Sequence, residues 1–111
     1  MPILESDIDR ALAYLRDNAE KDAQARAERL YMEQWIKTVL AQEQAKINAP
    51  SVAAAEMGAR VSEPYTAALQ AFKQAIFEDE RRRFLRSAAE TKIEVFRTQE
   101  ASRRAEERGY K

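Results

Sequence analysis

The sequence contains no cysteine and no histidine among its 111 residues, and these two absences exclude several kinds of chemistry. Without cysteine the chain can form no disulfide bond, and without both residue types it lacks the usual ligands of zinc. Histidine is also the side chain that enzymes use most often as a general base. No glycine-rich phosphate loop and no nucleophile motif occurs either. We therefore expect no enzyme activity, no catalytic residue, no metal site, no cofactor and no small-molecule substrate.

Glycine and proline are scarce, with two and three residues respectively. Helix-forming residues dominate and β-branched residues are few, so the composition predicts an all-α protein, which at this length is a single domain over residues 1–111. Acidic and basic residues are equal in number, at 19 each, so the formal net charge is zero. Such balance is typical of solvated helix faces and argues against a strongly electrostatic nucleic-acid binder.

The chain also lacks a long apolar run. No segment approaches the roughly 18 apolar residues of a membrane-spanning helix. The opening stretch, MPILESDIDRAL, is acidic and does not have the basic-then-apolar pattern of a secretion signal. We therefore expect a soluble protein of the cytoplasm with no membrane contact.

The longest uninterrupted helical pattern extends from Tyr65 to Arg104, a stretch without glycine or proline. Apolar side chains recur there every three or four residues, which places them on one side of an α-helix. A second long pattern precedes it, starting at Ser6, which forms an S-x-x-D capping pattern with Asp9. Acids four residues before bases, such as Asp22 before Arg26, suggest ion pairs within the helix.

The segment from Asn48 to Ser51 is the clearest break in the chain. Asn48 is suited to a left-handed helix cap, Pro50 stops the first helix, and Ser51 is a candidate N-cap. Pro64 requires a further break or kink, where Ser62 can cap a new helix. A single kinked helix from 51 to about 107 is the alternative. The predicted elements are helix 1 over about 7–47, a turn over 48–51, a short helix over 52–61, helix 2 over about 64–106 and a frayed C-terminus over 107–111.

The two long segments are nearly equal in length, which predicts an antiparallel helical hairpin. Residues 1–36 hold eight acids and five bases, whereas residues 81–111 hold ten bases and five acids, so antiparallel packing would place opposite charges together. A two-helix hairpin cannot bury a sufficient core alone. We therefore expect a homo-oligomer, most simply a dimer that forms a helical bundle. A long monomeric three-helix arrangement is the alternative.

The arginines of the second half are the candidate contacts for nucleic acid or an acidic partner, because the guanidinium fork suits phosphate. The alternative is a solvated face on which Glu78 and Asp79 neutralise the arginines one turn later. The candidate residues are Arg81, Arg82, Arg83, Arg86, Arg97, Arg103 and Arg104.

Tyr31 and Trp35 lie one helical turn apart and are the candidate interface aromatics. They have two interpretations. Either they pack in the core near the turn of the hairpin, or they anchor a contact with a partner, a role for which tyrosine and tryptophan are preferred.

Two segments carry a resemblance to known proteins. Residues 51–56, SVAAAE, followed by Tyr65, resemble an SVAERE…Y stretch, and residues 93–97, IEVFR, followed by Ala101 and the Arg103–Arg104 pair, resemble an IEVWR…A.RR ending. Both are found in small helical proteins of unknown function that tailed bacteriophages and prophages encode. This sequence departs from the pattern in carrying Pro64 and in having Phe96 in place of tryptophan.

The resemblance implies an accessory role, since members of that family often lie among phage recombination and replication genes. It also implies a bacterial host cell, and it transfers no catalytic residue. The leading hypothesis is an oligomeric helical hairpin that acts through protein partners. The alternative is a nucleic-acid-binding accessory of recombination or replication.

Overall fold

The computed structural model describes residues 2–109, and over that range the protein contains three helices and no strand. They are α1 (Glu5–Ala45), α2 (Val52–Arg60) and α3 (Glu63–Gly109). The long helices α1 and α3 have 41 and 47 residues and run antiparallel, with the short α2 in the connection between them. The all-α helical hairpin predicted from the sequence is therefore confirmed.

Helix α1 begins earlier than predicted, with Leu4 rather than Ser6 in the capping position. The backbone N–H groups of Asp7 and Ile8 donate to the Leu4 carbonyl at 3.0 and 3.3 Å. In return, the Leu4 N–H donates to the Asp7 carboxylate at 3.0 Å. This is the acidic half of a capping box, formed without a capping hydroxyl. The prediction of a Ser6 cap is wrong, because α1 begins at Glu5, one residue before Ser6, with Leu4 as its cap.

The connection between α1 and α3 agrees with two of the capping predictions. The Ser51 hydroxyl accepts a hydrogen bond from the Ala54 N–H at 3.1 Å and caps α2. The Ser62 hydroxyl accepts from the Tyr65 N–H at 3.4 Å and caps α3, one residue before Glu63 begins the helix. Residues 52–109 are thus two helices, and a single kinked helix is not formed.

A left-handed cap at Asn48 is not formed, because no residue other than glycine among residues 2–109 has a positive φ. The chain instead leaves α1 through two short turns, in which Lys46 and Ile47 donate to the carbonyls three residues earlier. Ile47 then lies against Gly58 of α2, where a Cβ atom would come within 2.9 Å of the Ile47 Cδ1. Glycine is unfavourable in the middle of a helix, but at this position its missing side chain allows Ile47 to approach α2 closely.

The contacts divide the chain into two compact units. The turn unit comprises residues Ala23–Glu80, and the terminal unit comprises the residues up to Asp22 together with those from Arg81 onwards. In each unit a segment of α1 packs against a segment of α3, and the buried and half-buried positions alternate in steps of three and four. That spacing is the heptad pattern of a coiled coil.

We call the contact line in each unit its seam. The turn-unit seam consists of Ala25, Arg29, Met32, Ile36, Val39 and Glu43 on α1 and Tyr65, Ala68, Phe72, Ala75 and Asp79 on α3. The terminal-unit seam consists of Ile8, Ala11, Leu15, Asn18 and Asp22 on α1 and Arg82, Arg86, Ala89, Ile93, Phe96 and Glu100 on α3. Both seams contain charged residues and several alanines, so neither is a conventional apolar core.

The C-terminal end of α3 differs from the prediction. Residues 107–109 were expected to fray but continue the helix, whereas 110–111 lie outside the described residues. All of residues 101–109 are exposed. Arg103 pairs there with Glu100 at 2.6 Å and with Glu107 at 3.3 Å, which are the one-turn spacings that stabilise an exposed helix.

The Asp7 cap should make the start of α1 sensitive to acid. The hydrogen bond from the Leu4 N–H, followed by that from Arg10, lowers the pKa of Asp7 from its ordinary value of 3.8. Because the folded state prefers the carboxylate, its stabilisation is present above pH 3.8 and is lost as the pH falls through the lower folded pKa.

We therefore predict that Asp7→Asn increases amide hydrogen exchange over the first turn of α1 at neutral pH, and that the difference from wild type disappears at strongly acidic pH. Asp9→Asn, which removes a neighbouring exposed acid, is the matched control and should have little effect. A difference that persists unchanged below the folded pKa would contradict the role of the carboxylate.

Candidate interaction surfaces

In the terminal unit, two of the candidate arginines are used inside the seam. Asp22 lies 3.4 Å from Arg82 and 3.4 Å from Arg86, measured between carboxylate oxygens and guanidinium nitrogens. The Asp22 side chain is only 8% exposed, and that of Arg82 is 17% exposed. A carboxylate this deeply buried needs such partners, since an unpaired buried charge is costly.

In the turn unit, the seam places the arginine on α1 and the acids on α3, which is the opposite of the arrangement in the terminal unit. Arg29 of α1 donates to Asp79 at 3.1 Å and to Glu80 at 2.8 Å. The hydrogen bond to Glu80, followed by that to Asp79, raises the pKa of Arg29, so the guanidinium remains a cation. No buried polar side-chain atom within residues 2–109 lacks a hydrogen-bond partner. The charged part of each seam is therefore fully satisfied by protein groups.

These pairs between helices were missed by the sequence analysis, which paired Asp22 with Arg26 and Asp79 with Arg83 along their own helices. In the structure Asp22 and Asp79 reach across to the opposite helix. The spacing of the residues did indicate these contacts between the helices. Both residues lie in the three-and-four series of seam positions, so the pattern could have been continued through them although they are not apolar.

The remaining arginine candidates lie on the surface of α3. Arg97 pairs with Glu94 at 3.1 Å, and Arg103 pairs with acids of its own helix. The hydrogen bond to Glu100 raises the pKa of Arg103. Arg104 is exposed, and its guanidinium forms no ion pair among residues 2–109. These side chains are solvated, and most of their charge is offset locally.

Arg81 and Arg83 are also exposed, but they are two residues apart on a helix, so their directions differ by about 160° and they lie on nearly opposite sides of α3. The seven candidate arginines thus occupy several environments. Arg82 and Arg86 lie in the seam, and the others are distributed around α3. The structure does not bring the seven guanidinium groups together on one face.

The aromatic candidates, in contrast, form one compact feature of the turn unit. The rings of Tyr31 and Trp35 stack with centroids 6.4 Å apart and planes 9° apart. Tyr31 is 59% exposed and Trp35 is 37% exposed. The interpretation that places them in the core is therefore wrong, because the core cluster of this unit is formed by Val39, Tyr65 and Ala68. Sequence periodicity alone did not decide between the core and the interface interpretation. Met32 and Ile36, which are seam residues, directly follow Tyr31 and Trp35 and have the same spacing.

A groove lies beside Trp35, with a volume of about 350 Å³. Pro64 and three alanines of α3 line one side. The other side is lined by residues of α1, which include Trp35, Gln42 and the ion-paired Glu43 and Lys46. The small side chains of Ala67, Ala68 and Ala71 leave the groove open. The stacked rings and this groove are adjacent features of one surface.

Other large apolar side chains are also exposed on both long helices and in the connection. They are Leu4, Leu12, Leu30, Val52, Met57, Val61, Leu69, Phe77, Phe84, Leu85 and Val95. Single exposed apolar residues are ordinary, but repeated ones outside a seam indicate a helix with a second contact side.

No group of three or more acidic side chains arranged to hold a metal ion occurs in the described part of the chain. Among residues 2–109, none of the helices combines the length and the apolar character needed to cross a membrane. Comparison with known proteins finds no family model, no curated protein and no solved structure that matches this chain.

We predict that Asp22→Asn lowers the free energy of unfolding by about 1–3 kcal/mol, because two seam arginines lose their carboxylate. Asp17→Asn is the matched control on the same helix. Within residues 2–109, Asp17 pairs only with Arg16, and both side chains are more than half exposed. We therefore expect a change within about 0.5 kcal/mol. Urea unfolding at one fixed protein concentration measures both variants. Equal losses would contradict a special contribution from the buried pairs.

Proposed function

We propose that this protein is a non-enzymatic accessory protein that acts through protein–protein interaction, as a helical bundle formed by two or more copies. The observation that carries the proposal is the distribution of apolar side chains. Six of the ten buried hydrophobic residues in the described chain are alanines, whereas thirteen large apolar side chains are exposed.

The energetic argument follows from the size of these side chains. Burying a large apolar side chain fully stabilises a fold by about 1.5–3 kcal/mol, and an alanine contributes much less. In this hairpin the alanines are buried and many of the large residues remain in water, and no large side chain is fully buried among residues 2–109. Association with another helical surface would remove that exposed area from water. Two hairpins in a four-helix bundle with two-fold symmetry are the simplest way to do so.

The biological setting of the proposal comes from the sequence resemblance. Proteins with the SVAERE-like and IEVWR-like segments are encoded by tailed bacteriophages and prophages, often near recombination and replication genes. We therefore propose a phage-encoded accessory factor that works in the cytoplasm of the bacterial host, through a protein partner in that system.

Size-exclusion chromatography coupled to light scattering tests the assembly directly. We predict a mass of about twice the 12.8 kDa monomer at tens of micromolar protein, with dissociation on dilution. A single species of monomer mass at those concentrations would refute the bundle. A larger integral multiple would keep the proposal and replace the dimer with a higher oligomer.

Nucleic-acid binding is the second candidate function, in an accessory of phage recombination or replication. It is favoured by Arg81, Arg83 and Arg104, which are exposed on α3. It ranks second because Arg82 and Arg86 contribute their charge to Asp22 in the seam.

Fluorescence polarisation with labelled single- and double-stranded DNA separates the two candidates. We predict no binding at near-physiological salt and, at low salt, only weak binding that Arg104→Glu leaves unchanged. Genuine phosphate contacts would give an affinity that falls steeply with rising salt, because counterions are released. Salt-sensitive binding that Arg81→Glu and Arg104→Glu each weaken would promote the nucleic-acid function instead. Glu106→Lys, an exposed charge reversal on the same helix, serves as the control for nonspecific charge effects.

A further inference from the structure

We propose that a second copy of this chain docks on one particular side of the turn unit, which we call the aromatic face, with the two α1 helices side by side and antiparallel. The aromatic face consists of Glu28, Tyr31, Trp35 and Gln42 of α1 and Ala67 and Ala71 of α3. The inference rests on the oligomeric function proposed above and adds the surface and the orientation through which the copies meet.

The first argument concerns the stacked rings. Positions 28, 31, 35 and 42 follow the three-and-four spacing of one helix side, next to the seam but outside it. The rings of Tyr31 and Trp35 stack with centroids 6.4 Å apart and planes 9° apart, which is within the range of a favourable aromatic pair. An aromatic anchor that is ordered before binding loses little conformational entropy when a partner covers it. The pair therefore has the properties of an interface anchor.

The second argument concerns the groove beside the rings. Its volume of about 350 Å³ is in the lower range of pockets that accept small organic molecules, so it is large enough for an aromatic side chain. Ala67, Ala68 and Ala71 of α3 are among the residues that line it. A projecting aromatic pair and an open groove on the same surface are complementary shapes. Two copies related by a two-fold axis would each insert Tyr31 into the groove of the other.

The third argument concerns charge, and it selects both the partner and the orientation. Between Glu28 and Lys46 the α1 positions on this side are Tyr31, Trp35, Thr38 and Gln42, none of which is charged. Glu28 forms no ion pair among residues 2–109. At the other end the Lys46 side chain is 70% exposed, and it pairs with a Glu43 carboxylate that is almost covered.

In an antiparallel dimer centred near Trp35, Glu28 of each copy therefore lies within about one helical turn of Lys46 of the other, at both ends of the uncharged α1 positions. A parallel dimer would instead bring like charges together at each end, which is unfavourable. Interface centres are depleted of charge and enriched in aromatic residues, as the α1 positions between Glu28 and Lys46 on this side are. The same surface is thus complementary to itself, and a second copy of the chain fits it.

The opposite side of the turn unit does not have these properties. Its exposed Leu30 is followed by Glu33 and Lys37, both of which are also exposed. A charge of each sign therefore interrupts the apolar surface in its middle. Residues from that side provide matched controls, because they are exposed on the same helix in the same unit.

Sedimentation velocity tests the anchor. We predict that the double variant Tyr31→Ala/Trp35→Ala raises the dimer Kd at least about tenfold, since both anchors are lost. The control variant Leu30→Ala/Phe77→Ala removes two exposed apolar side chains elsewhere in the turn unit and should change the Kd less than about threefold. Circular dichroism establishes that both variants keep the helical content of wild type.

Single cysteines test the orientation, because the natural chain contains none and any disulfide must come from the introduced residue. In an antiparallel dimer centred near Trp35, residue 28 of one copy faces residue 42 of the other. An equimolar mixture of Glu28→Cys and Gln42→Cys should therefore cross-link into mixed dimers under mild oxidation, while each variant alone should not. Ala23→Cys and Lys37→Cys have the same spacing of 14 residues on the other side of α1 and should not cross-link in a mixture.

The outcomes distinguish this inference from the proposed function. A wild-type protein that sediments as a monomer overturns the oligomeric function and the docking surface together. A wild-type dimer whose Kd the aromatic variant leaves unchanged, or that cross-links through residues 23 and 37, overturns the docking surface and leaves the oligomeric function standing. Efficient cross-linking of Glu28→Cys alone and of Gln42→Cys alone would show a parallel dimer and overturn the orientation.

Discussion

The pairing of buried charges between α1 and α3 is the constraint on which the fold depends. Asp22 is covered in the terminal unit and Asp79 in the turn unit, and each meets guanidinium groups of the opposite helix. Removing ions from water is costly, so these pairs add little net stability compared with apolar residues. Their effect is on register instead. Sliding one helix past the other by a turn would leave a buried carboxylate without its partner, which is far more costly than the native arrangement.

This constraint also explains why the apolar side chains are distributed as they are. More than half of the seam positions, which a conventional coiled coil would fill with large apolar residues, hold charged residues, asparagine or alanine, so the seams hold the helices in register but bury limited apolar area. Among residues 2–109, thirteen large apolar side chains are exposed outside the seams, and two of them, Tyr31 and Trp35, form a stacked pair. The hairpin therefore has a small apolar core of its own, and its exposed apolar side chains provide a contact surface for a neighbouring molecule.

Features set by local chemistry could be predicted from the sequence. The Ser51 and Ser62 caps follow from a hydroxyl ahead of a helix, and the break before α3 follows from Pro64. Features that depend on which side of each helix faces its neighbour could not be predicted. Through residues 16–29 the only apolar residues are alanines, which lie on several sides of the helix and do not show which side of α1 is covered, so the partners of Asp22 were misassigned. The same uncertainty of phase left open whether Tyr31 and Trp35 lie in the seam or beside it.

The last two turns of α3 have a practical consequence for experiments on this protein. Every residue from 101 to 109 is exposed, and the ion pairs of Arg103 lie within the helix itself. Such pairs weaken as ionic strength rises. A fluorophore or spin label attached there would report the winding and unwinding of a helix end in different buffers. The same label on the solvent side of α1 in the turn unit would move with the packed helices instead.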